Sequence, residues 1–213
     1  LIGFKCEFLN STSGNGGAIE CDSGTTLFID SCNFENCGSV YDGGAIYCYN
    51  ADLIELNNCI FDSNSVLGGP EYDVWGDGGV LWSDKSSVVI NGCYFLESSA
   101  EDGGAVYFND GNLTIKNCIF EHCWALSGMA VFATGNNPVL IDSSLFLRNS
   151  GVGAVLTIFT NSPSEISYCT FVSNSRQSHG SSGGSLIHAC YDTLTLRNCI
   201  VAFNNNYPIT CYG

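Results

Sequence analysis

Basic residues are nearly missing from this sequence: six Lys and Arg stand against 21 Asp and Glu, a formal net charge of −15. That scarcity argues against nucleic acid as a partner, because phosphate backbones are gripped by clustered Lys and Arg. It fits a soluble surface, or one that meets cations or basic partners. No continuous apolar run reaches the length needed to cross a bilayer, so no membrane span is expected within the segment. The opening residues LIGFKCEFLN have no initiator Met and no charged region leading into an apolar stretch, so no signal peptide is visible. Because the first motif is already under way at Gly3, the chain reads as a segment of something longer. The 13 cysteines are odd in number, which excludes a complete internal disulfide framework. What the chain does have is 45% apolar residues and 25 glycines, which argues against disorder.

The plentiful residues recur in a fixed order. One motif reads Ile/Leu-x-x-Cys-x-Phe-x-x-Asn/Ser/Cys. Its cysteine position holds Cys6, Cys32, Cys59, Cys93, Cys118, Ser144, Cys169 and Cys199. Two residues later come Phe8, Phe34, Phe61, Phe95, Phe120, Phe146, Phe171 and Val201, the phenylalanines being 26, 27, 34, 25, 26 and 25 residues apart. A second motif is Gly-Gly-Ala-Ile/Val, starting at Gly16, Gly43, Gly78, Gly103 and Gly183. Weaker copies run Gly128-Met129-Ala130-Val131 and Val152-Gly153-Ala154-Val155.

Within each unit the apolar stretches are short, β-branched and of period two, which defines strands and excludes helices. One such unit cannot bury its inner face alone, so copies must stack. About 25 residues with three short strands and three turns make one coil of a parallel β-helix. Seven to eight coils at about 4.8 Å give a rod roughly 35 to 40 Å long. The fold class is therefore all-β, a parallel β-helical solenoid. Like residues of successive coils form columns, with Cys and Phe inward. The double glycine marks a corner that needs positive φ or has no room for a Cβ. Asn and Ser at the following turn bond to the copies above and below.

The pairing of GGAI or GGAV with FDSN (61–64), FLRN (146–149) and FVSN (171–174) resembles the repeat of the chlamydial polymorphic outer-membrane protein family. Similar repeats occur in large surface proteins of some protists. The resemblance covers nearly the whole chain, although Met129 and Val152 depart from the glycine pair. It implies a right-handed β-helix serving as a passenger or ectodomain, in a family many of whose members are associated with adhesion, and it carries over no catalytic residue.

Candidate sites fall into four groups. Asp42, Asp77 and Asp102, preceded by Asn15, precede the glycine corner. Asp-Gly is a favoured turn dipeptide, but stacked carboxylates also suit a Ca²⁺ site or the acid and base of a glycosidase. A lyase would need a cation beside the carboxylates, and Lys116 and Arg197 fall elsewhere on the coil. The second group is an outward column of Glu20, Tyr47, Trp82, Tyr107, Phe132, Leu156 and Ile187. Its four aromatics, Tyr47, Trp82, Tyr107 and Phe132, form either a structural ladder or a strip that binds sugar rings or protein. Third, insertions at 65–77 and 175–182 leave from one edge, and Tyr72 and Trp75 in the first are contact candidates. Fourth, Asn10-Ser11-Thr12 and Asn112-Leu113-Thr114 are glycosylation sequons.

The cysteine column reads as small buried hydrophobes, since parallel Cβ vectors strain a disulfide. Zinc at Cys118, His122 and Cys123 together with Cys32 and Cys37 is excluded, because those segments lie three coils apart. The expectation is a non-catalytic β-helix segment, surface-exposed or secreted, that acts as an adhesin or structural stalk. Its partner would be a protein or glycan on a host, matrix or neighbouring subunit. No cofactor is expected, Ca²⁺ at the aspartate corner excepted. The alternatives are a carbohydrate-active β-helix enzyme and a purely structural filament segment.

Overall fold

The computed structural model describes residues 1–68, 76–177, 185–205 and 209–212. Every described strand pairs in parallel with the strand one coil away, and the pairings build three sheets of eight strands each. The first sheet runs from Ile2–Phe4 to Leu194–Arg197, the second from Glu7–Leu9 to Ile200–Ala202, and the third from Ile19–Cys21 to Ile209–Tyr212. Two-residue strands such as Thr12–Ser13, Gly38–Ser39 and Ser65–Val66 bridge the second and third sheets. The chain thus winds as a parallel β-solenoid.

The phenylalanine column forms as the repeat requires. Phe8, Phe34, Phe61, Phe95, Phe120, Phe146, Phe171 and Val201 are direct register partners along the second sheet. Neighbouring rings from Phe8 to Phe171 stack at centroid distances of 4.5, 4.9, 5.0, 4.6, 5.0 and 4.7 Å. Phe34 through Phe171 are fully buried. Aliphatic residues of the first sheet, including Ile29, Leu56, Ile90, Ile115 and Ile141, fill the remainder of the core.

Buried amides lock the coils together one turn further on. Asn149 Oδ1 accepts the Cys123 backbone N–H at 2.9 Å, while its Nδ2 donates to the Phe120 carbonyl at 2.9 Å. Asn174 repeats the arrangement with Asn149 and Phe146, and Asn204 with Asn174 and Phe171. Each amide satisfies backbone groups that the corner leaves unpaired.

Two corners per coil turn on a single left-handed residue. The residue before the cysteine column has φ near +52 at Asn58, +53 at Asn117 and +51 at Asn198. The residue before the amide column does the same at Asn36, Ser63 and His122. Asn tolerates this region better than most side chains. The third corner belongs to the glycine pair. Gly43 has φ +63, and a Cβ on Gly44 would sit 2.1 Å from the carbonyl oxygen of Gly79 in the next coil. The two glycines therefore serve different needs: backbone conformation at the first and close approach at the second.

The sixth coil differs from the expected register by one residue. Val131 pairs with Leu156 rather than Val155, and Leu156 pairs with Ile187. The outward column consequently continues from Phe132 to Thr157 and His188, not to Leu156 and Ile187. The alternation has period two, so the expected register would have turned Leu156 and Ile187 to solvent. The observed one buries both, at 0% and 1% exposure. Gly153 accordingly takes the place of Gly128, and Val152 falls outside the motif.

The insertions are shorter than expected. Ser65–Val66 and Ser175–Arg176 are ordinary rungs of the short strands. Regular pairing persists as far as Leu67, which donates to Ser39 O, and Gln177, which donates to Gly151 O. Both departures leave from the same corner. Residues 69–75 and 178–184, which include Tyr72, Trp75, Gly183 and Gly184, lie outside the described residues.

All 13 cysteines are free thiols, nine buried, three half-buried and Cys211 exposed. Cys93 lies between Cys59 and Cys118, and these two thiols together with burial push its pKa up. A neutral, enclosed thiol is a poor nucleophile. A thiol-alkylating reagent on the native protein is therefore expected to label Cys211 first and to spare the buried nine until denaturant is added. Mass spectrometry of the labelled peptides checks this.

Candidate functional site: the aspartate corner and its aromatic ladder

The corner before each glycine pair is held by carboxylates acting as backbone acceptors. Asn15 Oδ1 accepts the Asp42 N–H at 3.4 Å, Asp42 Oδ1 accepts the Asp77 N–H at 2.9 Å, and Asp77 Oδ1 accepts the Asp102 N–H at 3.2 Å. The expected column therefore exists, and its side chains already have work to do between coils. Among the described residues, no three His, Cys, Asp or Glu side chains converge as a metal ligand set.

Stacking carboxylates at one coil spacing has an electrostatic cost. Burial, with the Asp102 and Asp42 carboxylates, raises Asp77 to about 7. Burial and the neighbouring Glu101 raise Asp102 to about 6, and burial raises Asp42. A carboxyl whose folded pKa lies above its unfolded value contributes most stability below the unfolded value, near 3.8, and loses it as pH rises through the folded value. The corner is thus expected to weaken between about pH 4 and 7, from the unfolded value to the folded ones, by about 1–2 kcal/mol once solvent screening is allowed for. Asp77→Asn keeps the acceptor oxygen, as Asn15 does one end of the column. It is expected to flatten the fall in melting temperature over that range and to raise stability at pH 8, which calorimetry across pH reads directly.

Beside the corner, Tyr47, Trp82, Tyr107 and Phe132 are register partners on the outer face of the third sheet. Their rings stack at 4.5, 6.2 and 5.3 Å with interplanar angles of 5, 3 and 3°. Trp82 and Tyr107 therefore have both faces occupied by neighbouring rings. Beyond Phe132 the ladder ends in an edge-on contact with Phe159 at 80°. Burial, followed by the Asp77, Asp102 and Asp42 carboxylates, pushes Tyr107 up to about 12, which places its hydroxyl within the field of the aspartate column. The aspartate and aromatic columns are thus neighbours on the coil.

The sequon asparagines are both exposed, Asn10 at a left-handed corner with φ +53 and Asn112 just before a strand of the first sheet. Sequence reasoning missed a polar cluster on the second sheet, where Glu121 accepts the Tyr94 hydroxyl and meets Arg148 Nη1 at 3.2 Å. Its members are not register partners, since Tyr94 pairs with Ile119 and Glu121 with Leu147, so the repeat spacing carried no signal for it. A cavity of about 90 Å³ lined by Val66, Gly76, Glu101, Trp124 and Leu126 lies where the first departure leaves the rod. That is well below the roughly 300–1,000 Å³ of small-molecule sites.

Three eight-stranded parallel sheets wound about one stacked core define a parallel β-solenoid. The family described as right handed beta helix region matches residues 44–213, and the chain belongs to it. No curated protein and no solved structure matches the chain.

Proposed function

We propose that the chain is a non-catalytic β-helix segment, displayed at a cell surface or secreted, that acts as an adhesin or structural stalk. The observation that carries this reading is the use of its polar columns. The aspartates and the buried asparagines are committed to bonds between coils, which leaves flat outer sheets as the working surface. The likeness of its GGA[IV] and FxxN repeats to those of the polymorphic outer-membrane proteins supports the same reading, as do the strongly acidic surface and the exposed sequons. The aromatic ladder favours stalk stiffness over sugar stacking, because pyranose rings pack on aromatic faces and the inner faces here are covered. An exposed ring edge still suits a protein contact, on a matrix, a host or a neighbouring subunit.

One observation favours a second reading. Asp77 near 7 and Asp102 near 6 stand beside Tyr107, and paired carboxyls of split pKa are what a glycosidase uses as acid and base. Incubation with neutral glycans and polyuronides, assayed for reducing ends and unsaturated products, separates the two. The stalk reading expects no turnover and a rod that binds cells or matrix equally well with Asp77→Asn. Turnover abolished by Asp77→Asn overturns it in favour of the enzyme.

A further inference from the structure

The outer face of the second sheet departs from the alternation that a solvent-facing sheet obeys. Its first outward position holds Ile60, Tyr94, Ile119, Leu145 and, two rungs on, Ile200. Its other outward position adds Leu96, Leu147 and Val172. Ile60 is 49% exposed and Ile119 38%. The corresponding outer column of the first sheet is interrupted by Glu55, Thr114, Glu165 and Thr195. A contiguous apolar stripe of this kind marks an interaction surface.

Tyr168 gives an independent sign. It occupies the left-handed corner, φ +53, where other coils place Lys5, Ser31, Asn58, Gly92, Asn117, Ser143 and Asn198, none of them aromatic. A bulky side chain is disfavoured there relative to glycine or asparagine, and the ring is 63% exposed, so the core returns nothing for it. With Ile119, Leu145 and Thr170 it lines an open groove along the stripe. A strained, exposed aromatic beside a groove that carries Ile119 and Leu145 among Asn117, Ser143 and Thr170 is what an interface anchor looks like.

Charge and spacing identify the occupant. Glu35, Asp62 and Glu121 interrupt the second of these outward columns, and Glu97 and Asp142 flank it. Against them stand three cations, Lys116, Arg148 and Arg197, of which Arg148 is held by Glu121 and Arg197 by Glu165. Coils repeat every 4.6 to 5.0 Å along this sheet. A helix laid along the rod axis presents one apolar side chain per 5.4 Å turn, nearly in step with the coils. Strands only three residues wide leave too little area for a second copy of the chain, whose charge of −15 would also repel. We propose that this face docks a basic amphipathic helix of another protein, parallel to the rod axis, with Ile119, Leu145 and Tyr168 as anchors. The inference stands apart from the question of catalysis, since it uses none of the aspartate corner.

The test uses a helix-forming 14-residue peptide of leucine and lysine at amphipathic spacing, titrated into the protein by fluorescence anisotropy. A leucine–glutamate peptide of the same spacing and a shuffled leucine–lysine peptide serve as controls. Micromolar binding of the first alone, weakened by salt, is expected. Ile119→Ser/Leu145→Ser is expected to lose about tenfold in affinity. Tyr168→Asn is expected to lose about fivefold while raising the melting temperature, a combination that misfolding cannot produce. Equal binding of either control peptide, or unchanged affinity in both variants, overturns the proposal. So does sedimentation as a dimer that Ile119→Ser/Leu145→Ser dissociates, which would make a second copy the occupant.

Discussion

Phe95→Ala is expected to destabilise the protein by about 3–5 kcal/mol, the range for a buried Phe cut back to its Cβ. Phe95 is fully buried and stacks between Phe61 at 5.0 Å and Phe120 at 4.6 Å. Removing its ring forfeits two stacked pairs, each worth about 0.5–1.5 kcal/mol beyond the area buried. The effect should depend on position along the rod. Within this segment Phe8 has one stacked neighbour, at 4.5 Å, and is only partly buried, so Phe8→Ala in the isolated segment should cost well under half as much. Since each coil touches only its neighbours, a break at the centre also uncouples the two halves. Urea denaturation of Phe95→Ala should therefore show a lower midpoint and a broader transition. Equal losses at the two positions would contradict a stacked, nearest-neighbour core.

Asn149→Ala is expected to cost about 3 kcal/mol, although it removes no apolar surface. The side chain accepts from Cys123 N and donates to Phe120 O and Asn174 Oδ1 at 2.9, 2.9 and 3.0 Å. Alanine leaves the buried Cys123 N–H unpaired, at about 1–3 kcal/mol, and removes a second donor from the Phe120 carbonyl, which the ladder to the next strand still pairs. Asn149→Asp is no rescue, because the carboxylate loses the donor and points an anion at the Phe120 carbonyl. Asn161 also bonds an asparagine one coil away, Asn136 Oδ1 at 3.0 Å, but at an exposed position. Asn161→Ala should stay within about 0.5 kcal/mol. Chemical denaturation of the pair separates an amide that holds coils together from one that decorates them.

How much of this was legible in the chain differs by column. The phenylalanines announce themselves because a repeat of nearly constant length, with inward side chains, admits one register. That logic weakens where the motif weakens. With Gly-Met in the fifth coil and a single well-placed glycine in the sixth, Val155 and Leu156 are equally good inward residues, and only the pairing of Val131 with Leu156 decides between them. The corners at Asn58 and Asn117 were hidden for another reason. A polar residue before the cysteine reads as any turn, and its left-handed backbone becomes visible only as a φ angle. The aromatic column was predictable as a column, but whether Trp82 and Tyr107 lie flat on the surface or stack face to face depends on side-chain torsions. That difference separates a sugar-binding strip from a stiffening ladder. The raised carboxyl of Asp77 likewise needed three dimensions, since its leading cause is desolvation by coils distant in sequence.

The apolar stripe on the second sheet was in plain view as Ile60, Ile119 and Leu145, yet an apolar residue immediately before a core Phe is easily credited to the core. Only exposure distinguishes the two roles.

The most direct measurement is a set of nuclear Overhauser contacts among the ring protons of Phe34, Phe61, Phe95 and Phe120, in protein labelled only at phenylalanine rings. Ring centroids of successive partners lie 4.9, 5.0 and 4.6 Å apart, so each neighbouring pair should show a contact and each next-nearest pair, at about twice the coil spacing, should not. Missing neighbour contacts, or contacts that skip a coil, would contradict the stacking on which the whole account rests.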